Sequence, residues 1–171
     1  MDLKVYTDGS YSESRPGVTQ GGVLIVTEDN KPQIAQFCST DVESFVKTRN
    51  DGGELLAAMN GISLALHILN SIDPSRGQKH IIYVYHDYAG VKKYLEGPEK
   101  WKATKPASAL YVDKITALKK ANLNVEIKFV KVRAHTGIKG NEIVDKIAKG
   151  LTPPEVESIM IKPCIIKSGG K

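Results

Sequence analysis

At 171 residues, 41% hydrophobic and 25% charged, the chain has the size and composition of one globular domain with a buried core, which excludes disordered and fibrous classes. No apolar run approaches the ~20 residues of a spanning helix, and MDLKVYTDG lacks the basic-then-apolar pattern of a signal peptide, so a cytoplasmic protein is expected. The net charge of +5 is lopsided, with 7 Lys/Arg against 11 Asp/Glu through Val91 and 17 against 8 from Lys92 onward; an acidic half for cations and a basic half for phosphates suit a polyanionic partner, and a solvated lysine-rich surface explains the same counts.

Leu3 to Thr7 reads as a strand running into a Gly-Ser turn. Gly21–Thr27 and Gln33–Ser39 read as two more, joined by the polar turn 28–32, so an antiparallel meander is expected. From about Asp51 the period changes: Leu55, Met59, Ile62, Leu66 and Leu69 recur at spacings of three and four, the pattern of a helix with one buried face. Asn50 or Asp51 could cap it, which places Glu54 in its first turn. After the break at 73–77, Ile81–Tyr85 is a β-rich run ending at His86-Asp87. A short helix is expected over Ala89–Leu95 and a longer one over Ala107–Ala121, then a strand over Val125–Val132 and a helix from near Lys139 to Gly150. The order βββαβααβα implies a five-stranded mixed α/β sheet with helices on both faces, in a domain spanning 1–150. Beyond Leu151, Pro153-Pro154 ends the helix, and 151–171 reads as an appended tail that could dock through Val156, Ile159, Met160, Ile165 and Ile166. Cys38 and Cys164 form neither a disulfide framework nor a metal-ligand spacing, and both are expected to be reduced.

Four acids stand at strand ends or in helices in this order: Asp8 in TDGS, Glu54 in GGELLAAM, Asp87 in YVYHDY and Asp145 in GNEIVD. Singly, each has an ordinary explanation. Asp8 could be a turn residue, Glu54 a partner of the helix dipole, Asp87 a cap for the next helix, and Asp145 one end of an i,i+4 ion pair with Lys149. Gathered in one cleft, four carboxylates would repel one another unless hard divalent cations neutralised them, and such a site suits phosphodiester cleavage.

YTDGS, RNDGGELLAAM, YVYHDY and VRAHTGIKGNEIVDKIAKG resemble, in order, the four signature segments of type 1 ribonuclease H. The resemblance spans roughly Lys4 to Gly150, and HTG followed by GNE and Asp at helical spacing is its most specific part. It implies a ribonuclease H-like fold and an endoribonuclease that hydrolyses the RNA strand of RNA/DNA hybrids, leaving 5′-phosphate and 3′-hydroxyl ends. Asp8, Glu54, Asp87 and Asp145 would hold two Mg²⁺ ions, with Mn²⁺ as a substitute, and Asp8 would be the shared ligand. His135 matches a family position suited to proton transfer or product release; read alone, it is a solvated loop histidine. Gly9, Ser10, Asn50 and Asn141 match positions that meet ribose 2′-hydroxyls across the minor groove. A monomer acting on the hybrid duplex, without a membrane or obligate protein partner, is expected; a catalytically silent binding module on the same fold is the alternative.

Two departures from the family pattern stand out. The basic, Trp-rich protrusion of the familiar bacterial form is reduced here to EGPEKWKATKPASALYVDK, in which Trp101 could stack on substrate or anchor its loop on the core. Asp51-Gly52-Gly53 also precedes Glu54 where many relatives carry another amide and a bulkier residue. No separate N-terminal hybrid-binding domain is expected.

Overall fold

The first strand, β1 (Asp2–Ser10), alternates as a half-covered strand should: Leu3, Val5 and Thr7 are buried, with Lys4 and Tyr6 on the other face. Its neighbour β2 (Thr19–Thr27) is buried on both faces except at Thr27, which requires cover above and below the sheet. Val23 and Ile25 enter the larger core, while Leu24 and Val26 enter a second core on the opposite face. β3 (Pro32–Thr40) completes the antiparallel meander. The computed structural model describes residues 1–133 and 139–168.

The larger core is organised by α2 (Asn50–Ile72), which lies on β1 and β2 and buries Leu55, Met59, Ile62, Leu66 and Leu69. By length and apolar content this helix would also suffice to cross a membrane, contrary to the expectation that no segment would; more than half of that stretch is buried inside the domain, as expected of a core helix packed on both flanks. A short helix, α1 (Glu43–Val46), precedes it and has no counterpart in the sequence reading. Asn50 and Asp51 do not cap α2. The cap position is Arg49, at φ +52°, and the first amides are met by main-chain carbonyls, with Asp51 N–H donating to Thr48 O (3.1 Å) and Gly53 N–H to Arg49 O (3.2 Å). The chain turns directly from α1 into α2, which leaves no extended residue to act as a side-chain cap.

Then come β4 (His80–His86), the short α3 (Gly90–Lys93), α4 (Pro106–Ala121), β5 (Val125–Lys131) and α5 (Lys139–Ala148). α4 opens with Pro at its first position and packs on α2. α5 covers β1 and β2 from the second face through Ile143, Val144 and Ile147. It ends in a Schellman arrangement: Gly150, at φ +84°, donates to Ile147 O (2.9 Å) and Leu151 donates to Lys146 O (3.0 Å).

Among the described residues the sheet has six strands, not five, in the order β5-β4-β1-β2-β3-β6. After a 3₁₀ turn at Pro154–Val156, β6 (Ile161–Ile166) pairs parallel to β3, from Ala35 opposite Ile161 to Thr40 opposite Ile166. Val156 is fully buried, and Ile159 and Ile161 pack against the second core. Met160, Ile165 and Ile166 do not dock; they are 76%, 61% and 39% exposed, because an edge strand is covered from fewer sides. The pairing also sets Cys38 opposite Cys164, and Asn60 Nδ2 donates to both sulfurs, at 3.2 Å and 3.6 Å. The cysteines, far apart in sequence, are free thiols side by side.

Candidate active site

β1 and β4 run parallel with Tyr6 opposite Tyr85, so Asp8 and Asp87, each two residues further on, leave adjacent strands side by side at their carboxyl ends. Thr7 Oγ1 ties the strands together there by donating to Tyr85 O (3.2 Å). Glu54 reaches the same point from α2 because the backbones are allowed to touch. A Cβ on Gly9 would lie 2.4 Å from Glu54 N, and one on Gly53 would lie 2.2 Å from Gln20 O. Glycine at these two positions seats the first turn of α2 on β1 and β2.

Asp8, Glu54 and Asp87 thereby each bring a carboxylate oxygen within 4.8 Å of the others. Asp8 and Glu54 are buried and Asp87 is half-buried. Gly9 N–H donates to Asp8 Oδ1 (3.0 Å), while Glu54 Oε2 is buried without a hydrogen-bond partner among the described residues. Burial, reinforced by Asp87 and Asp145, pushes the Asp8 carboxyl up to about 6, although its contact with Glu54 pulls the other way. Burial first, then Asp87 and Asp8, holds Glu54 well above the usual carboxylate range. A partnerless buried carboxylate oxygen facing two more carboxylates is costly as protein alone. An all-oxygen, anionic donor set of this kind fits a hard divalent cation.

These acids open into a cleft of about 660 Å³, to which α5 contributes Asp145, Asn141, Lys146 and Lys149. Asp145 is not part of that mutually close triad, but its carboxyl interacts with Asp8 while its Oδ2 lies 3.0 Å from Lys149 Nζ, so the i,i+4 pairing and the place in the cleft are both real. Gly9, Ser10, Asn50 and Asn141 all line the cleft. Trp101 does not. Its ring lies against Tyr94 (5.4 Å, edge-on) and Tyr88 (6.2 Å), with Lys93 Nζ 5.6 Å from its centroid. His135 lies outside the described residues.

The sequence reading missed Asp51, Tyr88 and Tyr11 as cleft residues. Asp51 precedes Glu54 by three residues, the spacing of helix neighbours, and Tyr88 follows Asp87; those were the available signals. His86 braces this corner from beneath. Fully buried, it donates from Nδ1 to Tyr88 O (2.9 Å) and so spans Asp87, and burial pushes its pKa down, favouring the neutral ring. The Tyr88 phenol is held far above its ordinary value by burial and by Tyr94, Asp51 and Glu54, so it stays protonated.

The RNase H family profile matches residues 1–152. The chain belongs to the RNase H family. A search of curated proteins returns no match. Among solved structures, RNase H1 from the halophilic archaeon Halobacterium salinarum NRC-1 aligns with a TM-score of 0.63 at 19% identity, covering 87% of this chain and 96% of that one. The N-terminal RNase H domain of Rv2228c from Mycobacterium tuberculosis, solved as a maltose-binding-protein fusion, gives 0.63 at 17% identity, covering 92% and 97%. LC11-RNase H1, solved in complex with an RNA/DNA hybrid, gives 0.60 at 17%, covering 86% and 97%. At these identities the likeness is one of fold, and the six-stranded mixed sheet with helices on both faces is the RNase H fold.

Proposed function

We propose that this RNase H-family chain is an endoribonuclease that cleaves the RNA strand of RNA/DNA hybrids, using two Mg²⁺ ions, or Mn²⁺ in their place, and leaving 5′-phosphate and 3′-hydroxyl ends. The observation that carries the reading is the convergence of Asp8, Glu54 and Asp87, with the orphaned Glu54 Oε2, at the carboxyl ends of β1 and β4. That LC11-RNase H1 was solved with a hybrid supports the same substrate class. Divalent cations bound there supply positive charge to the scissile phosphate and make hydroxide available near neutral pH.

The chain's own residues do the rest. Asp8, Glu54, Asp87 and Asp145 would hold the ions, with Asp8 assigned as the shared ligand. Gly9, Ser10, Asn50 and Asn141 are assigned to the sugar edge of the hybrid, where a glycine permits backbone approach and amides both donate and accept. His135 is assigned to proton transfer at the leaving oxygen or to product release.

The test is cleavage of an end-labelled hybrid beside single-stranded RNA, duplex RNA and duplex DNA, in Mg²⁺, Mn²⁺ or EDTA, with wild type and Asp8→Asn. Cutting confined to the hybrid's RNA strand, dependent on metal and at least ~100-fold weaker in Asp8→Asn, is expected. Binding of the hybrid without cutting would make the chain a silent module, and cutting of duplex DNA would place it in another nuclease class.

A further inference from the structure

The buried face of β4 carries Ile82, Val84 and then His86, so an aliphatic row is continued by an imidazole that is itself fully buried. Its Nε2 has no hydrogen-bond partner among the described residues. Leaving a ring nitrogen dry and unpaired is costly, and an aliphatic side chain would fill the same place without that cost. What the imidazole adds is its other nitrogen. Nδ1 lies 2.9 Å from Tyr88 O, and because a carbonyl only accepts, Nδ1 carries the hydrogen.

The contact matters because of what it straddles. Asp8 belongs to a strand and Glu54 to a helix, but Asp87 lies just past the end of β4, in neither. The direction of its side chain therefore depends on how residues 86 and 88 are held. His86 O accepts from Val132 N–H (2.7 Å), and the ring stands edge-on to Phe129, with 6.1 Å between centroids. Tyr88 O, besides accepting from His86, accepts from Val91 N–H (3.1 Å) in α3. Resting on the metal-dependent reading above, we infer that His86 is a positioning residue for the metal site: its Nδ1–H clamps Tyr88 O across Asp87 and so aims the Asp87 carboxylate at Asp8 and Glu54. Asparagine can repeat this clamp, because its amide nitrogen falls where Nδ1 lies. The longer glutamine reaches the place of Nε2 instead, and leucine offers no donor.

The experiment compares wild type with His86→Asn, His86→Gln and His86→Leu. Mn²⁺ affinity without substrate is measured from the electron paramagnetic resonance signal of the free ion, and cleavage of a hybrid is followed against Mn²⁺ concentration. Melting curves check that the variants fold; should His86→Leu fail, the contrast between Asn and Gln decides. His86→Asn should stay within about threefold of wild type in affinity, while Gln and Leu should bind Mn²⁺ about tenfold more weakly, roughly the worth of one hydrogen bond. The Mn²⁺ concentration that half-activates cleavage should rise in step, with KM for the hybrid at saturating metal within about twofold of wild type. A buried residue that only filled space would lower Tm without separating Asn from Gln in metal affinity. Equal affinities in all four proteins, or Asn falling together with Gln, overturn the inference and leave the ribonuclease reading standing. A wild type that binds Mn²⁺ but cuts no hybrid sinks that reading alone, since the clamp is read from affinity; one that binds no Mn²⁺ overturns both.

Discussion

Glu54 places a carboxylate oxygen in the protein interior with no hydrogen-bond partner among the described residues, and Asp8 is buried beside it. Both carboxyls have folded pKa values above their unfolded ones, Asp8 at about 6 against 3.8, so folding without metal takes up protons. The stability tied to these groups is fully present below about pH 4 and is lost as pH rises. The share from Asp8, up to roughly 3 kcal/mol, is gone once pH passes its folded value near 6, and the share from Glu54 continues to fall above that. Thermal melts in EDTA should therefore show a falling Tm from pH 5 to 8, and millimolar Mg²⁺ should flatten the fall by binding the ionised form. A Tm that rises over this range in EDTA would contradict the account. Glu54→Gln removes the charge, so in EDTA near pH 7.5 it should stabilise the fold by on the order of 1 kcal/mol while abolishing cleavage. The positions of Asp8, Glu54 and Asp87 were legible in the sequence because each sits in a recognisable segment; their mutual approach was not, because it depends on Gly9 and Gly53 letting backbones touch. Asp51 and Tyr88 were hidden for the same reason. Whether a residue one helical turn from Glu54 faces the cleft follows from how α2 is seated, which local pattern does not report.

Among elements, periodicity read the meander, α2, α4 and α5 well, since the apolar positions at three- and four-residue spacing in α2 are the ones buried. β6 escaped because Pro163 interrupts a short run without alternation, and because its partner β3 lies more than a hundred residues earlier. That pairing changes the reading of the cysteines. Cys38 and Cys164 are register partners on β3 and β6, and neighbouring strands, about 4.8 Å apart, bring Cα atoms into the range a disulfide spans. Burial pushes the Cys38 thiol up to about 12, so it reacts slowly, and Cys164 is the more accessible partner. Treatment with diamide, a two-electron thiol oxidant, should join them, both thiols giving up their protons and two electrons to the reagent. The loop closed is so long that the gain has a ceiling of about 5 kcal/mol, less any strain. Loss of both free thiols from a monomeric band, with a Tm increase reversed by dithiothreitol, is the expected result; a mixture of intermolecular dimers would show that the sulfurs cannot meet.

Across the whole molecule, Trp101 stays 36% exposed but outside the acidic cleft, with its ring against Tyr88 and Tyr94, and the basic side chains concentrate in the second half of the sequence. Hybrid binding should accordingly depend on charge more than on stacking, with log Kd rising steeply with log salt concentration; a Kd unchanged between 50 and 200 mM salt would contradict this. β6 has a different consequence, for solubility. Without it, the nine residues of β3 would present a row of unpaired amides and carbonyls to solvent, a template for pairing with other molecules. The outer edge that β6 offers instead is only six residues long and is broken by Pro163, which has no amide hydrogen to donate, with Lys162 beside it. Cutting the chain after Thr152 should leave Asp8, Glu54 and Asp87 supported by their own strands and helix, yet produce a protein that scatters light as concentration rises. The last strand thus acts as a guard on the sheet's flank, exchanging an inviting edge for a poor one.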